Sequence, residues 1–295
     1  MVQSKALGSR FVNLLVITAL LMITFLSLVP MVNTIVISIS SSTAVNAGEV
    51  YFLPVDINFS SYEKILNDTK FWKAFLVSVE RVVLGVSLNM ILTILMAYPL
   101  SRSIKQFKSR NVYMWVIIFT MLFSGGIVPW FMVISNLGLI NSIWALVLPG
   151  AVPVFNVILL MNFFKGIPKE LEEAAFMDGA GPLKILTHIF LPVSLPSLAT
   201  IALFSIVGHW NNFFDGIVLI NDSNKIPLQT YLQQLSLTRD QIQNLTVEQL
   251  KEFNKVSNVT LNSAKILVSM IPILLIYPFL QRYLIHGIVL GSVKE

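Results

Sequence analysis

Glu173-Ala174-Ala175-Phe176-Met177-Asp178-Gly179, with Ile189-Phe190-Leu191-Pro192 beyond it, is a polar island between two apolar runs. Glu170, Glu172, Glu173 and Asp178 place four acids within nine residues of a chain that is only 12% charged. Carboxylates at that density cannot sit unpaired in hydrocarbon, so the island must face water or a protein surface. The runs on either side have the opposite requirement, and together they decide the fold.

The 295 residues are 55% hydrophobic, and the mean hydropathy is +0.77. Such a mixture belongs to membrane proteins. Crossing the hydrocarbon core as a helix takes about 20 mostly apolar residues. Six stretches qualify: Phe11–Ile39, Ala74–Leu100, Val112–Ser135, Ile143–Phe164, Pro196–Ile220 and Leu261–Ile285. The expected fold is therefore all-α and polytopic, with six transmembrane helices in a single unit spanning residues 1–295. The first run is too long for a signal-peptide core of about 7–15 residues and reads as a retained helix. Pro30, Pro129, Pro149, Pro153 and Pro272 interrupt apolar runs. Breaks of this kind survive in lipid where neighbouring helices or water satisfy the freed backbone groups, which predicts a packed bundle around a path.

There is no cysteine, which removes disulfides and thiolate chemistry. The net charge of +5 needs no nucleic acid to explain it; basic residues near span ends are topology signals. With the N-terminus inside, Lys5, Arg10, Arg102, Lys105, Lys108, Arg110, Lys165, Lys169, Lys184, Arg282 and Lys294 share one face. That distribution predicts cytoplasmic termini and a cytoplasmic island at Glu173. The external segments are then about 40–73 and 221–258. The second holds Thr246-Val247-Glu248-Gln249, a capping box opening a short helix with Leu250 and Phe253 on its apolar side.

Around the island, proline and glycine prescribe a shape. Pro168 suits a first helical turn, and Glu170, Glu172 and Glu173 follow near that positive end. Gly179 can take the left-handed conformation that ends a helix. Gly181-Pro182 starts a second short helix through about Phe190, which Pro192 stops. Ala174 and Ala175 permit close approach by another surface. A helix lying on anionic lipid favours Lys and Arg on its polar face; three glutamates in four positions favour a protein partner.

The pattern E-A-A, three residues, Gly, nine residues, Ile-x-Leu-Pro resembles the cytoplasmic loop with which membrane subunits of bacterial ABC importers grip their ATPases. The likeness runs essentially end to end. Lys165 to Ala175 followed by Asp178-Gly179-Ala180, Trp210-Asn211-Asn212-Phe213-Phe214, and Asn136-Leu137-Gly138-Leu139 with Asn141 look like the maltose-type, di- and oligosaccharide branch. So does the tail Gly287 to Lys294, and the subgroup it looks most like takes up fragments of complex polysaccharides. The resemblance implies a permease subunit paired with a homologous permease, as a heterodimer, and with two ATPase subunits and an extracytoplasmic solute-binding protein. It implies an oligosaccharide cargo and residence in the bacterial inner membrane, with lipid around the spans. Glu172, Glu173, Ala174, Ala175, Asp178 and Gly179 would couple to the ATPases. Two positions depart from the pattern: Glu295 stands where many relatives end in Gly, and Asn212 where many have Glu.

No G-x-x-x-x-G-K-[ST] is present, so ATP and its Mg belong on partner chains, and this chain is expected to bind no cofactor or metal itself. His209, Trp210, Asn211, Asn212, Phe213 and Asp215 are candidates for lining the substrate path. Aromatic faces and amide or carboxylate groups match the apolar faces and hydroxyls of sugars. If the fifth run is one helix, Asn211 and Asp215 share a face, as do Asn212 and Asp215. Each of these residues could instead pack or hydrogen-bond between helices. Asn89, Asn156 and Asn162 read as interhelical bonds, and Glu80 and Arg81 as groups near the outer interface satisfied by water or, alternatively, as a pair at a gate. An ion-coupled transporter would need buried acids, for which only Asp215 and Glu80 qualify. An intramembrane hydrolase lacks its signatures: the three histidines form no H-E-x-x-H, and there is no G-x-S-x-G. An amino-acid or peptide importer remains an alternative within the same family.

Overall fold

The computed structural model describes residues 7–240 and 259–292, with side chains over 11–235 and 259–281. Among these residues there are helices and turns and no strand. In chain order the helices are α1 (Leu7–Ser38), α2 (Ser42–Asn46), α3 (Ser60–Leu66), α4 (Thr69–Ser101), α5 (Arg110–Leu122), α6 (Ile127–Asn136), α7 (Ile143–Val147) and α8 (Val154–Lys165). There follow α9 (Lys169–Met177), α10 (Pro182–Ile185), α11 (Leu191–Val193), α12 (Leu195–Asn211), α13 (Phe214–Leu219), α14 (Leu228–Asp240) and α15 (Val259–Ser292). A 3-10 turn, Leu148–Gly150, extends α7, and a π turn, Leu186–Phe190, joins α10 to α11. The helix expected at Thr246–Gln249 lies outside the described residues, as do Lys5, Lys294 and Glu295. So do the side chains of Arg10, Arg282 and the tail from Gly287.

α4 shows how such a sequence suits lipid. Its buried residues are Phe71, Ala74, Ser78, Arg81, Gly85, Asn89, Thr93, Ala97 and Leu100, which recur every three or four positions and are mostly small or polar. Leu76, Val79, Val83, Ile91 and Leu95 lie exposed on the other faces. Small and polar groups meet neighbouring helices while large apolar ones meet the bilayer. α12 repeats the device, with Ser197, Ile201, Ser205 and His209 buried at intervals of four.

Among the described residues three helical stretches are long and apolar enough to cross a membrane unaided: Phe11–Ser38, Thr69–Ser101 and Val259–Gln281. Three bent pairs bring the number of crossings to six if each counts as one span. The third apolar run turns by 113° between α5 and α6, at a non-helical stretch where Gly126 has φ +87°. The fourth turns by 46° around Ala151–Pro153. The fifth is not one helix: α12 ends at Asn211, Asn212 is extended at φ −74°, ψ 124°, and α13 starts at Phe214. The expected sharing of a helical face by Asn211 or Asn212 with Asp215 therefore fails. Pro30 and Pro272 do not interrupt their helices, which continue through them.

The chain divides into two compact units. The described parts of 1–69 and 235–270 form the first. There Val36, Ala44 and Val50 pack together, and Ser38 Oγ meets the Tyr62 hydroxyl at 2.8 Å. Ser61 Oγ donates to Thr260 Oγ1 at 3.1 Å, and Lys265 Nζ pairs with Asp68 at 2.6 Å. From Phe11 to Leu28 α1 is exposed, as a lipid-facing helix requires. The described parts of 70–234 and 271–295 form the second unit. Its main core joins Ala97 and Leu100 of α4, Ile117 of α5, Val157, Leu160, Met161 and Phe164 of α8, Ile185, Leu186 and Phe190, and Ile201 of α12. In the same unit Asn141, at φ +63°, accepts from the Asn221 and Asp222 N–H groups at 3.2 and 3.0 Å. The Asn224 backbone N–H in turn holds the Asp222 carboxyl below its usual range.

Candidate functional site

The polar island folds as helix, turn, helix. Pro168 caps the start of α9, leaving Glu170 and Glu172 in the first turn, where the helix end favours negative charge. Asp178 closes α9, and Gly179 follows at φ +76°. The Ala180 N–H donates to Ala175 O at 2.9 Å and the Gly179 N–H to Phe176 O at 3.0 Å. That pair of bonds is the Schellman termination, and it demands the left-handed residue that glycine supplies. Pro182 then opens α10, and the run through α11 meets α12 at 83°.

The six expected coupling residues do not all face the same way. Glu173, Ala174, Asp178 and Gly179 are exposed. Ala175 is half-buried against the main core. Glu172 turns inward and bonds Arg102 Nη1 at the end of α4; its side chain is only 13% exposed. Around the exposed acids stand Leu171, Phe176, Met177 and Leu183, the last two at 88% and 72% exposure. The loop thus presents carboxylates and large apolar side chains together on one projecting turn.

A separate constellation lines a cavity of about 1060 Å³ in the same unit, bounded by α4, α6, the α7–α8 connection and α12–α13. Arg81 and Asp215 form a two-pronged ion pair there, with Nη1 3.0 Å from Oδ1 and Nη2 bonded to Oδ2. Arg81 is 1% exposed, so the expectation of a water-satisfied interfacial group is corrected; Glu80 beside it is exposed. Arg81 also donates to Asn212 O at 3.1 Å and Leu146 O at 3.4 Å. Asn212 Nδ2 completes the set with a 3.2 Å bond to Asp215 Oδ2. About two turns of α4 further on, Asn89 Nδ2 donates to Gly150 O and Ala151 O at 2.8 and 3.0 Å. Those carbonyls lie where the fourth span breaks before Pro153, and so lack helical partners. With its amide N–H groups so used, Asn89 Oδ1 accepts from His209 Nε2, 2.9 Å away.

His209, Asn212 and Asp215 therefore meet at the cavity, while Trp210, Asn211 and Phe213 do not line it. Trp210 is buried edge-on against Phe75, with centroids 5.6 Å apart. Asn211 and Phe213 are exposed. The cavity instead takes its aromatic surface from Trp130, Phe204 and Phe214. Asn156 is an interhelical link as expected, donating to Ser205 Oγ at 3.2 Å; Asn162 is exposed and is not. Among the described residues no three His, Asp or Glu side chains converge as a metal site would require.

Gly85 is required by this packing. A Cβ there would lie 2.5 Å from His209 Cε1 and Nε2. Gly85→Ala is expected to displace the ring, break its bond to Asn89 and cost about 1–3 kcal/mol, the usual penalty of overpacking. Thermal unfolding in detergent checks this, and adding His209→Ala should recover most of the loss. An unchanged melting temperature for the single variant would mean that the ring yields freely.

Residues 89–290 match the family model for the inner membrane component of binding-protein-dependent transport systems. Over 97% of its length the chain is 38% identical to the polygalacturonan/rhamnogalacturonan transport system permease protein YtcP of Bacillus subtilis (strain 168), covering 99% of that protein. Protein LplC of the same organism is 36% identical over 91% of this chain and 90% of its own length. Among solved structures, a chain of a bacterial ABC transporter involved in the import of the acidic polysaccharide alginate superposes with a TM-score of 0.82. It is 34% identical, over 94% of this chain and 98% of that one.

Proposed function

The chain belongs to the inner membrane components of binding-protein-dependent transport systems, and from that premise we propose that it is the permease subunit of an ATP-driven importer of oligosaccharides or polysaccharide fragments. It forms half of a translocation path whose other half is a homologous permease, and it residues as one transmembrane domain in the inner membrane. ATP and Mg are bound by two separate ATPase chains, and an extracytoplasmic binding protein delivers the cargo. The predominance of basic residues on one set of loops supports cytoplasmic termini and a cytoplasmic α9–α10 turn.

The observation that carries this reading is the projecting turn itself. Glu173 and Asp178 beside exposed Phe176, Met177 and Leu183 make a surface that neither water nor lipid alone would satisfy. A protein groove with basic and apolar walls would. Closing of the ATPases on ATP would press on this turn, tilt the helices joined to it and turn the path outward; hydrolysis would reset it. The cargo class is supported by what YtcP and the alginate transporter are described as carrying. A cavity offering Trp130, Asn156, His209 and Asn212 suits sugar rings and hydroxyls. An ion-coupled mechanism is disfavoured because Asp215, the acid at the cavity, is already neutralised by Arg81.

Glu173→Lys reverses the exposed charge without touching a buried contact. In the assembled complex in proteoliposomes it is expected to lower ATPase stimulation by loaded binding protein, and uptake of oligogalacturonate, by about tenfold or more, at normal membrane content. Uptake at the wild-type level would defeat the coupling reading. Uptake that persists without ATP and collapses with the proton gradient would replace it with ion coupling.

A further inference from the structure

The coupling turn is fastened to α4 and the residue after it at three points, two made by Arg102 and one by Tyr98. This residue directly follows α4. Its guanidinium lies 4.1 Å from the Tyr98 ring centroid and 4.5 Å from that of Phe190. Nη1 bonds Glu172 of α9, while Nη2 is buried with no acceptor among the described residues. The group therefore lies against two adjacent rings, themselves edge-on to each other, and one carboxylate, contacts that a broad planar cation can make together. Tyr98 adds a bond from its hydroxyl to Pro182 O at 3.1 Å, at the start of α10. Its ring meets Phe190 edge-on at 5.3 Å, and Phe164 meets Phe190 at the same distance. Arg102 thus grips α9 through Glu172 and the π turn through Phe190, while Tyr98 grips α10.

Toward its middle α4 carries Arg81 and Asn89, which capture carbonyls at the breaks in the fifth and fourth spans. From Arg102 to Arg81 is roughly 30 Å along the axis, at about 1.5 Å per residue. α4 is one unbroken helix over that distance. A displacement of the turn clamped at Arg102 must then reach the carbonyls and the ion pair that border the cavity. Glu172, on this geometry, serves the clamp and does not reach outward.

We propose that Arg102 is the positioning residue that locks the α9–α10 turn to α4, making α4 the rod between that turn and the cavity; this rests on the coupling role proposed above for the turn. The clamp explains why an arginine, rather than any basic topology signal, stands at the end of this span.

The test uses the complete complex of both permeases and the ATPase chains in proteoliposomes, with oligogalacturonate-loaded binding protein as the stimulus. Arg102→Ala is expected to retain the ATPase chains on co-purification and to keep their unstimulated hydrolysis, while stimulation falls about tenfold or more. Arg102→Lys should recover it only in part, since an ammonium keeps the charge and loses the planar stack. Tyr98→Phe, which removes one hydroxyl, gives a milder loss in a chain certain to keep its aromatic packing. The exchanged pair Arg102→Glu with Glu172→Arg should regain stimulation that Arg102→Glu alone abolishes. Stimulation of Arg102→Ala within about twofold of wild type overturns the clamp. So does an exchanged pair no better than the single variant, because that outcome removes the ion pair from the mechanism. A wild-type complex that retains no ATPase chains overturns the coupling role itself, and the clamp with it.

Discussion

Asp215→Asn should be among the most damaging single substitutions in the protein, costing about 3–5 kcal/mol, the usual consequence of stranding one partner of a buried ion pair. The change keeps the side chain's volume and removes only its charge. Arg81, 1% exposed, would keep the carbonyls of Asn212 and Leu146 and one bond to the amide oxygen, but its other prong would face an NH2 group and its charge would have no counter-ion. An arginine cannot escape by releasing its proton. The converse variant, Arg81→Met, fills a similar space and leaves Asp215 alone, but a stranded carboxyl can take up a proton and become neutral. Asp215 would also keep its bonds from Asn212 Nδ2 and the Gly216 N–H. The expected order is therefore Asp215→Asn worse than Arg81→Met, with the double variant better than Asp215→Asn. Thermal unfolding and monodispersity in detergent read this order. Equal losses from the two single variants would mean that the lost carbonyl bonds, and not the unpaired charge, dominate. The pair also bears on function, because Asn212 lies at the break in the fifth span and Leu146 in α7 of the fourth, and a cation that holds both must yield or travel with them when the path changes shape.

Arg81 also marks how far the sequence could be read. The apolar runs announced the spans because lipid exposure imposes composition on every turn of a helix. The island at Glu173 announced its shape because Pro168, Gly179 and Pro182 each have few backbone options, and Gly179 does take the left-handed conformation. The partner of Asp215 was hidden by distance: it lies 134 residues away, and nothing local to either residue records the contact. A usable signal nevertheless existed. Ser78, Arg81, Gly85, Asn89, Thr93 and Ala97 form a stripe of small or polar residues at helical spacing, which marks the inward face and puts Arg81 on it, with Glu80 facing away. The break at Asn212 was less legible. Trp210 to Asp215 contains neither glycine nor proline, and the helix yields there because tertiary partners, Arg81 on the Asn212 carbonyl among them, take over its bonds. Glu172 and Glu173 are neighbours of identical chemistry; only the placement of Arg102 separates the inward one from the outward one.

Gly179→Pro should abolish uptake while leaving the protein folded in the membrane, and a graded series at this position can separate backbone conformation from space. At φ +76° nothing lies within 4 Å of where a Cβ would stand, so any loss on substitution comes from the dihedral alone. Asparagine tolerates the left-handed region best among residues with a side chain, and Gly179→Asn should keep uptake within about twofold of wild type. Alanine there is strained by roughly 1–2 kcal/mol, enough to let the turn sample other geometries, and its uptake should fall between the two extremes. Proline is fixed near φ −65° and also lacks the N–H that Gly179 donates to Phe176 O. The turn must then reopen, aiming α9 and the exposed Phe176 and Met177 elsewhere while α10 stays anchored in the core through Ile185. Uptake of oligogalacturonate per folded protein, with membrane content measured alongside, should run Gly, Asn, Ala, Pro in descending order. Because α9 makes few buried contacts of its own, the proline variant's melting temperature should move little even as transport is lost. That separation of stability from activity is what a rigid signalling element predicts, and proline-variant uptake at the wild-type level would mean that the aim of the turn does not govern transport.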